Sequence, residues 1–100
     1  MLVTLTLVVI ASFRHRGPKR LFERGDRSRV NPVQLERIAL ILADLEAART
    51  IDHMRQPRYR LHALRGSLTR YYAVEVSGNW RIVFRFESGY ALDVDLVDYH

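Results

Sequence analysis

The sequence predicts an α+β domain in which an antiparallel sheet packs on two helices near the N-terminus, in the order β-α-α-β-β-β(-β). Three observations carry this. Apolar residues recur near a period of 3.6 from 32 to 48 and of two from Leu61 onward. Gly66, Gly78 and Gly89 divide that second region into strand-length runs. One parity of those runs is almost wholly apolar, so one sheet face must be covered, and the helical stripe is the only cover the chain offers. One hundred residues, 48% of them hydrophobic, make a single domain, 1–100, with a modest core.

The elements follow in order. Leu2 to Phe13 is rich in Val, Thr, Leu and Ile with little alternation, as in a strand buried on both faces. Its apolar run is shorter than the roughly 18 residues that cross a membrane. The first charge, Arg14, follows that run instead of leading it as in a secretory signal. Gly17-Pro18 opens a short helix, because proline in the first turn loses no hydrogen bond, and Gly25 closes it after Lys19 to Arg24. Arg24 to Arg29 reads as a loop. Asn31 then caps a second helix, with Pro32 at its first position and Gln34 in the capping-box place. Its apolar stripe is Leu35, Ile38, Ala39, Leu42, Leu45 and Ala48, with Glu36, Arg37, Asp44 and Glu46 outside it. Thr50 to Met54 adds one turn before Pro57.

Leu61–Leu64, Tyr71–Ser77, Trp80–Phe86 and Ala91–Val97 are the expected strands. Parity sets their register. A three-residue loop at Ser77-Gly78-Asn79 pairs 76 with 80, 74 with 82 and 72 with 84, whereas a two-residue loop would set Glu75 beside Ile82. By the same logic Glu87-Ser88-Gly89 is a loop, and 84 pairs with 92, 82 with 94 and 80 with 96. The covered face is then Tyr72, Val74, Val76, Trp80, Ile82, Phe84, Phe86, Leu92, Val94 and Leu96. The open face carries Tyr71, Glu75, Arg81, Val83, Arg85, Asp93, Asp95 and Tyr99.

The net charge of +5 is unevenly spread: residues 14–29 hold seven Lys/Arg against two acids, and residues 55–70 hold five Arg and no acid. Two basic segments that meet in the fold make a polyanion-binding surface, with nucleic acid the usual target, although a merely soluble basic surface has the same composition. Zero cysteines exclude a disulfide framework and a thiolate metal site and suit a cytoplasmic protein. His15, His53, His62 and His100 are scattered, and neither a phosphate-binding glycine loop nor a nucleophile elbow is present, so no metal or cofactor is expected.

What remains is Val97-Asp98-Tyr99-His100, beside Arg81 in the neighbouring strand. A carboxylate, a phenol and an imidazole offer orientation, base stacking and proton transfer near neutrality, and phosphodiester transfer adds a need for fixed positive charge on the phosphorane. Structural readings stand beside these. Arg81 lies between Glu75 and Asp95 in the derived register, so a cross-strand ion-pair ladder accounts for it. A terminal Tyr-His is commonly frayed, and alternation separates Tyr99 from Asp98 and His100.

The segments Ile10-Ala-Ser-Phe13, Lys19-Arg-Leu-Phe-Glu23, Asn31-Pro32, Tyr59-Arg-Leu-His62, Leu64-Arg-Gly66, Tyr72, Ser77-Gly-Asn-Trp-Arg81, Phe84-Arg-Phe86, Asp93-Val-Asp95 and Asp98-Tyr-His100 resemble, in this order and spacing, the HigB-type toxins of the RelE/ParE superfamily. The resemblance covers about residues 10–100. It makes residues 1–9 an extension of the first strand or a start assigned too early. It implies the RelE-like microbial RNase fold and a metal-free, ribosome-dependent mRNA endonuclease acting in the A site. The 2′-hydroxyl would attack the adjacent phosphate, and a HigA-like helix-turn-helix antitoxin would block the activity, with operator DNA reached only through that complex. Carried over by motif, Arg81 stabilises the phosphorane, His100 transfers protons, Tyr99 stacks on or hydrogen-bonds the mRNA, and Asp98 orients its neighbours. His62 and Arg65 match further basic site residues, and Arg60 and Arg70 extend the RNA-binding set. Where the family commonly has Lys, this chain has Arg65, which binds phosphate but is too weak an acid to exchange protons, so His100 or His62 must do so. Two other functions fit the same features: a ParE-like inhibitor of DNA gyrase, and a non-enzymatic basic module that binds a helix-turn-helix partner.

Overall fold

The computed structural model describes residues 10–98, apart from the side chain of Arg16. Helix α1, Arg16–Arg24, begins at His15, whose Nδ1 accepts the Gly17 N–H at 2.9 Å, and ends at Gly25 in the left-handed region, φ 65°. Gly17 is there for space: a Cβ would stand 2.7 Å from the Arg29 carbonyl oxygen, so the loop after α1 closes directly on the helix start.

Helix α2, Pro32–Ala47, starts as expected, with the Asn31 side chain accepting the Val33 N–H at 3.0 Å. Gln34 does not complete a capping box. It is buried, and its Nε2 donates to Ser77 Oγ at 3.1 Å, tying the helix start to the end of a strand. The buried stripe is Gln34, Ile38, Ile41, Leu42 and Leu45, with Ala48 just beyond. Ala39, expected inside, is exposed because α2 faces two partners: the stripe meets the sheet, while Leu35 and Ala39 border a groove with Leu21 of α1.

The expected extra turn is a 3-10 turn at Ile51–Met54, followed by others at Pro57–Tyr59 and Gly66–Leu68. Strands β1 (His62–Ala63), β2 (Tyr71–Ser77), β3 (Trp80–Glu87) and β4 (Tyr90–Asp98) form one antiparallel sheet in sequence order. Of the predicted first strand, residues 2–9 lie outside the described residues. Its described end runs parallel to β4 through bridges at Ile10–Ala91 and Phe13–Val94, where Ala11 N–H donates to Ala91 O at 2.8 Å and Val94 N–H to Ser12 O at 3.0 Å.

The registers differ from expectation at both hairpins, for one physical reason. Tyr72–Phe84 and Val74–Ile82 pair as predicted, but Ser77 pairs with Trp80 across a two-residue Gly78-Asn79 turn, and a bulge at Val76 absorbs the parity change. At the second hairpin Glu87 pairs with Tyr90 across Ser88-Gly89, whose φ of 52° and 81° suit the turn that matches strand twist. A bulge then sets Asp93 and Val94 against Phe84, with Asp93 at φ 53°. Leu92 therefore leaves the covered face and Ala91 takes its place, while Val94 and Leu96 return to the core. The two bulges reconcile two-residue turns with the apolar parity of the strands.

The core joins Ile38, Ile41, Leu42 and Leu45 to Val74, Ile82, Phe84 and Val94. Tyr59 is buried at its edge, with the guanidinium carbons of Arg37 and Arg58 5.2 and 5.1 Å from its ring centroid and its hydroxyl donating to Asp44. Burial first, and then Asp44, push that hydroxyl well above its ordinary value of 10.0. Tyr59→Phe is expected to cost about 2 kcal/mol in a denaturant titration, the scale of a hydrogen bond to a charged group. A group whose pKa is raised by folding stabilises fully below its unfolded pKa and ceases to do so as pH rises through the folded one. The parent should therefore lose stability above about pH 10, more steeply than the variant.

Candidate functional site

The open sheet face gathers charge by register. His62 pairs with Ala73 and Glu75 with Arg81, which brings Arg60, two residues before His62, to the same row as Glu75 and Arg81. The Glu75 carboxylate stands 3.8 Å from Arg60 Nε and 4.0 Å from Arg81 Nη2. Arg60 adopts φ 48° immediately after the docked Tyr59, so the packing of that ring delivers Arg60 to the sheet. Arg37 braces the same corner, donating to the Arg58 and Glu75 carbonyls, the latter at 3.3 Å.

Arg81 is held more tightly than its neighbours. Its Nη1 donates to Gly78 O at 2.7 Å and to Trp80 O at 3.0 Å, and its side chain is 18% exposed against 75% for Arg60. The two carbonyls belong to the Gly78-Asn79 turn and its edge, so the hairpin itself orients the guanidinium. With five N–H groups available to an arginine, donors remain for a phosphate oxygen. The expected ladder exists on one side only. Glu75 faces Arg81, but the β4 bulge moves Asp95 opposite Val83 and places Val97 opposite Arg81.

His62 is exposed in β1, with Nδ1 3.1 Å from Arg60 O. A carbonyl can only accept, so in this contact Nδ1 carries the proton, and the neutral ring keeps its lone pair on Nε2. Arg65 immediately precedes the Gly66–Leu68 turn, with no side-chain capping bond, and Arg70 leads into β2 at φ 83°. Both are exposed, and no hydrogen bond or ion pair among the described residues joins them to the Arg60–Glu75–Arg81 cluster. Asp98 pairs with Trp80, so alternation sets it on the Trp80 side of the sheet and Val97 on the Arg81 side. Tyr99 and His100 lie outside the described residues.

Arg85 belongs to a separate network. It pairs with Glu87 and, at 3.7 Å, with Asp93, which also accepts from Tyr71 at 2.9 Å and from Ser12 Oγ at 3.4 Å. The bond to Asp93 first, and then burial, raise the Tyr71 hydroxyl above its ordinary value. This network joins β2, β3 and β4 to the N-terminal segment, a structural use of Arg85.

Sequence reasoning did not place Glu75, Arg37 or Tyr59 in the site. Glu75 was visible as an acid opposite Arg81, but nothing in the pattern revealed that Tyr59 docks and carries Arg60 to the same carboxylate. Among the described residues no group of three or more His, Asp or Glu side chains is arranged to hold a metal ion, and no helix is long and apolar enough to cross a membrane.

Residues 11–100 match the RelE-like toxins of the type II toxin-antitoxin system HigB. The Endoribonuclease HigB of Proteus vulgaris is 38% identical over 92 residues, which are 92% of this chain and the whole of that protein.

Proposed function

From the premise that the chain belongs to the HigB-like family of RelE-like toxins of type II toxin-antitoxin systems, we propose that it is a ribosome-dependent mRNA endonuclease that cuts in the A site. It is an endoribonuclease, and its two helices followed by a four-stranded antiparallel sheet are the RelE-like arrangement. The observation that carries the reading is Arg81, fixed by two turn carbonyls and Glu75 on the open face, one strand from Arg60.

In the proposed reaction the ribose 2′-oxygen bonds to the adjacent phosphorus as its proton leaves to a base, and the bond from phosphorus to the 5′-oxygen breaks as that oxygen gains a proton. The products are a 2′,3′-cyclic phosphate and a 5′-hydroxyl. Arg81, supported by Arg60, stabilises the added negative charge of the phosphorane, a role that an ammonium or guanidinium clamp performs without itself moving protons. His62, through Nε2, and His100 are the proton-transfer groups. Tyr99 stacks on or hydrogen-bonds the mRNA, Asp98 orients its neighbours, and Arg65 and Arg70 hold phosphates further along the strand. The protein works in the cytoplasm, neutralised by a HigA-like helix-turn-helix antitoxin, and meets operator DNA only in that complex.

Purified protein incubated with ribosomes and mRNA tests this. Cuts are expected within translated codons only, with cyclic phosphate ends. Equal cutting of untranslated RNA overturns the ribosome dependence; absence of cutting together with inhibition of gyrase supercoiling moves the protein to the ParE-like class.

A further inference from the structure

Glu75, on the central strand β2, shares one carboxylate oxygen between two arginines. Oε2 stands 3.8 Å from Arg60 Nε and 4.0 Å from Arg81 Nη2, and both separations exceed hydrogen-bond length, so charge alone holds the three groups together. The two arginines are not held alike. Arg81 is mostly buried and also bonded to Gly78 O and Trp80 O, whereas Arg60 is largely exposed and meets the carboxylate through Nε, which leaves both Nη groups available. Arg81 is therefore fixed, and Arg60 can exchange one anion for another. An ion pair this exposed shifts an equilibrium only a few-fold, so a competing anion of greater charge takes the guanidinium from it.

Phosphodiester cleavage supplies such an anion at one stage only. The ground-state diester carries one negative charge, as Glu75 does, so Arg60 gains little by leaving the carboxylate for it. The phosphorane carries two, and the same exchange becomes favourable. A group that binds the transition state better than the ground state raises kcat, whereas one that binds both alike lowers KM and leaves kcat where it was.

We propose that Glu75 is a positioning residue that retains Arg60 while the diester binds and yields it to the phosphorane, so that this second guanidinium acts on the transition state alone. This rests on the reading of Arg81 as a phosphate ligand and gives the acid beside it a part in the rate. The test pairs Glu75→Gln, which removes the charge at constant shape, with Arg60→Gln, singly and together. Binding of a short single-stranded RNA carrying 2′-O-methyl groups, which cannot be cut, is followed by fluorescence anisotropy over a range of salt. Glu75→Gln is expected to bind about two- to fivefold more tightly, the scale of an exposed ion pair, with a salt slope steeper by about 0.7, one added phosphate contact on a single strand. In the Arg60→Gln background the same substitution should gain at most about half as much. In single-turnover cleavage on ribosomes Glu75→Gln should lower the plateau rate by the same factor as the half-saturating concentration, leaving their ratio unchanged. A Glu75 that only braces the sheet would instead lower the melting temperature and weaken binding. That result, an equally large gain without Arg60, or a plateau rate that stays at the parental value, overturns the proposal. If the parent itself cuts nothing, the endonuclease reading fails, and the RNA-binding cycle alone upholds or overturns the exchange of Arg60.

Discussion

Arg81→Ala is expected to lower the rate of mRNA cleavage by about 10²–10³-fold, the usual cost of removing one preorganised group that stabilises a developing oxyanion. The size follows from rigidity. Arg81 is already turned toward the open face by Gly78 O, Trp80 O and Glu75, so no reorganisation is needed when charge builds on phosphorus. The loss should fall on kcat more than on KM, because a phosphodiester carries less charge in the ground state than in the phosphorane. Arg81→Lys should recover little, since one ammonium cannot bond both turn carbonyls and still present a fork to phosphate. Single-turnover cleavage on ribosomes measures this. A variant that keeps its melting temperature and cuts as fast as the parent removes Arg81 from the chemistry.

Deleting Tyr99 and His100 should cost about 10²–10⁴-fold in cleavage, the range for a positioned acid or base. Arg81 and Arg60 cannot substitute, because guanidinium does not exchange protons near neutrality. Among the described residues the core runs from Ile10 to Leu96, and a denaturant titration of the shortened chain beside the parent separates lost catalysis from lost stability. His62→Gln is the companion variant, with its own loss expected if Nε2 takes the 2′-hydroxyl proton. Should the deletion cut at the parental rate while His62→Gln is inactive, proton transfer belongs to His62 and another group, and the role given to His100 is lost.

Much of this arrangement was legible in the order of residues. Asn31-Pro32 begins α2 because a side-chain acceptor and a proline suit the first helical turn whatever the rest of the chain does. The glycines at 25, 78 and 89 sit where φ is positive, a local requirement that local sequence can announce. The open face was legible as well, because an alternating strand cannot bury Arg81 and expose Ile82 in the same row. The two bulges were not. An extra residue on one strand is decided by cross-strand geometry at Val76 and at Asp93-Val94, and the apolar pattern reads much the same with or without it.

The element order, the covered and open faces apart from Leu92, and the charged character of the open one can be read from the residues in line, because these depend on periodicity, turn chemistry and alternation along the chain. Tertiary structure decided which charges meet. Tyr59, held by Arg37, Arg58 and Asp44, brings Arg60 to the Glu75 carboxylate that also steadies Arg81. The β4 bulge releases Asp95 from the ion-pair ladder that parity had assigned it and leaves it at a cavity beside that row. Contacts of this kind join residues far apart in the chain, and their energies depend on distances that close only when the sheet and helices have packed.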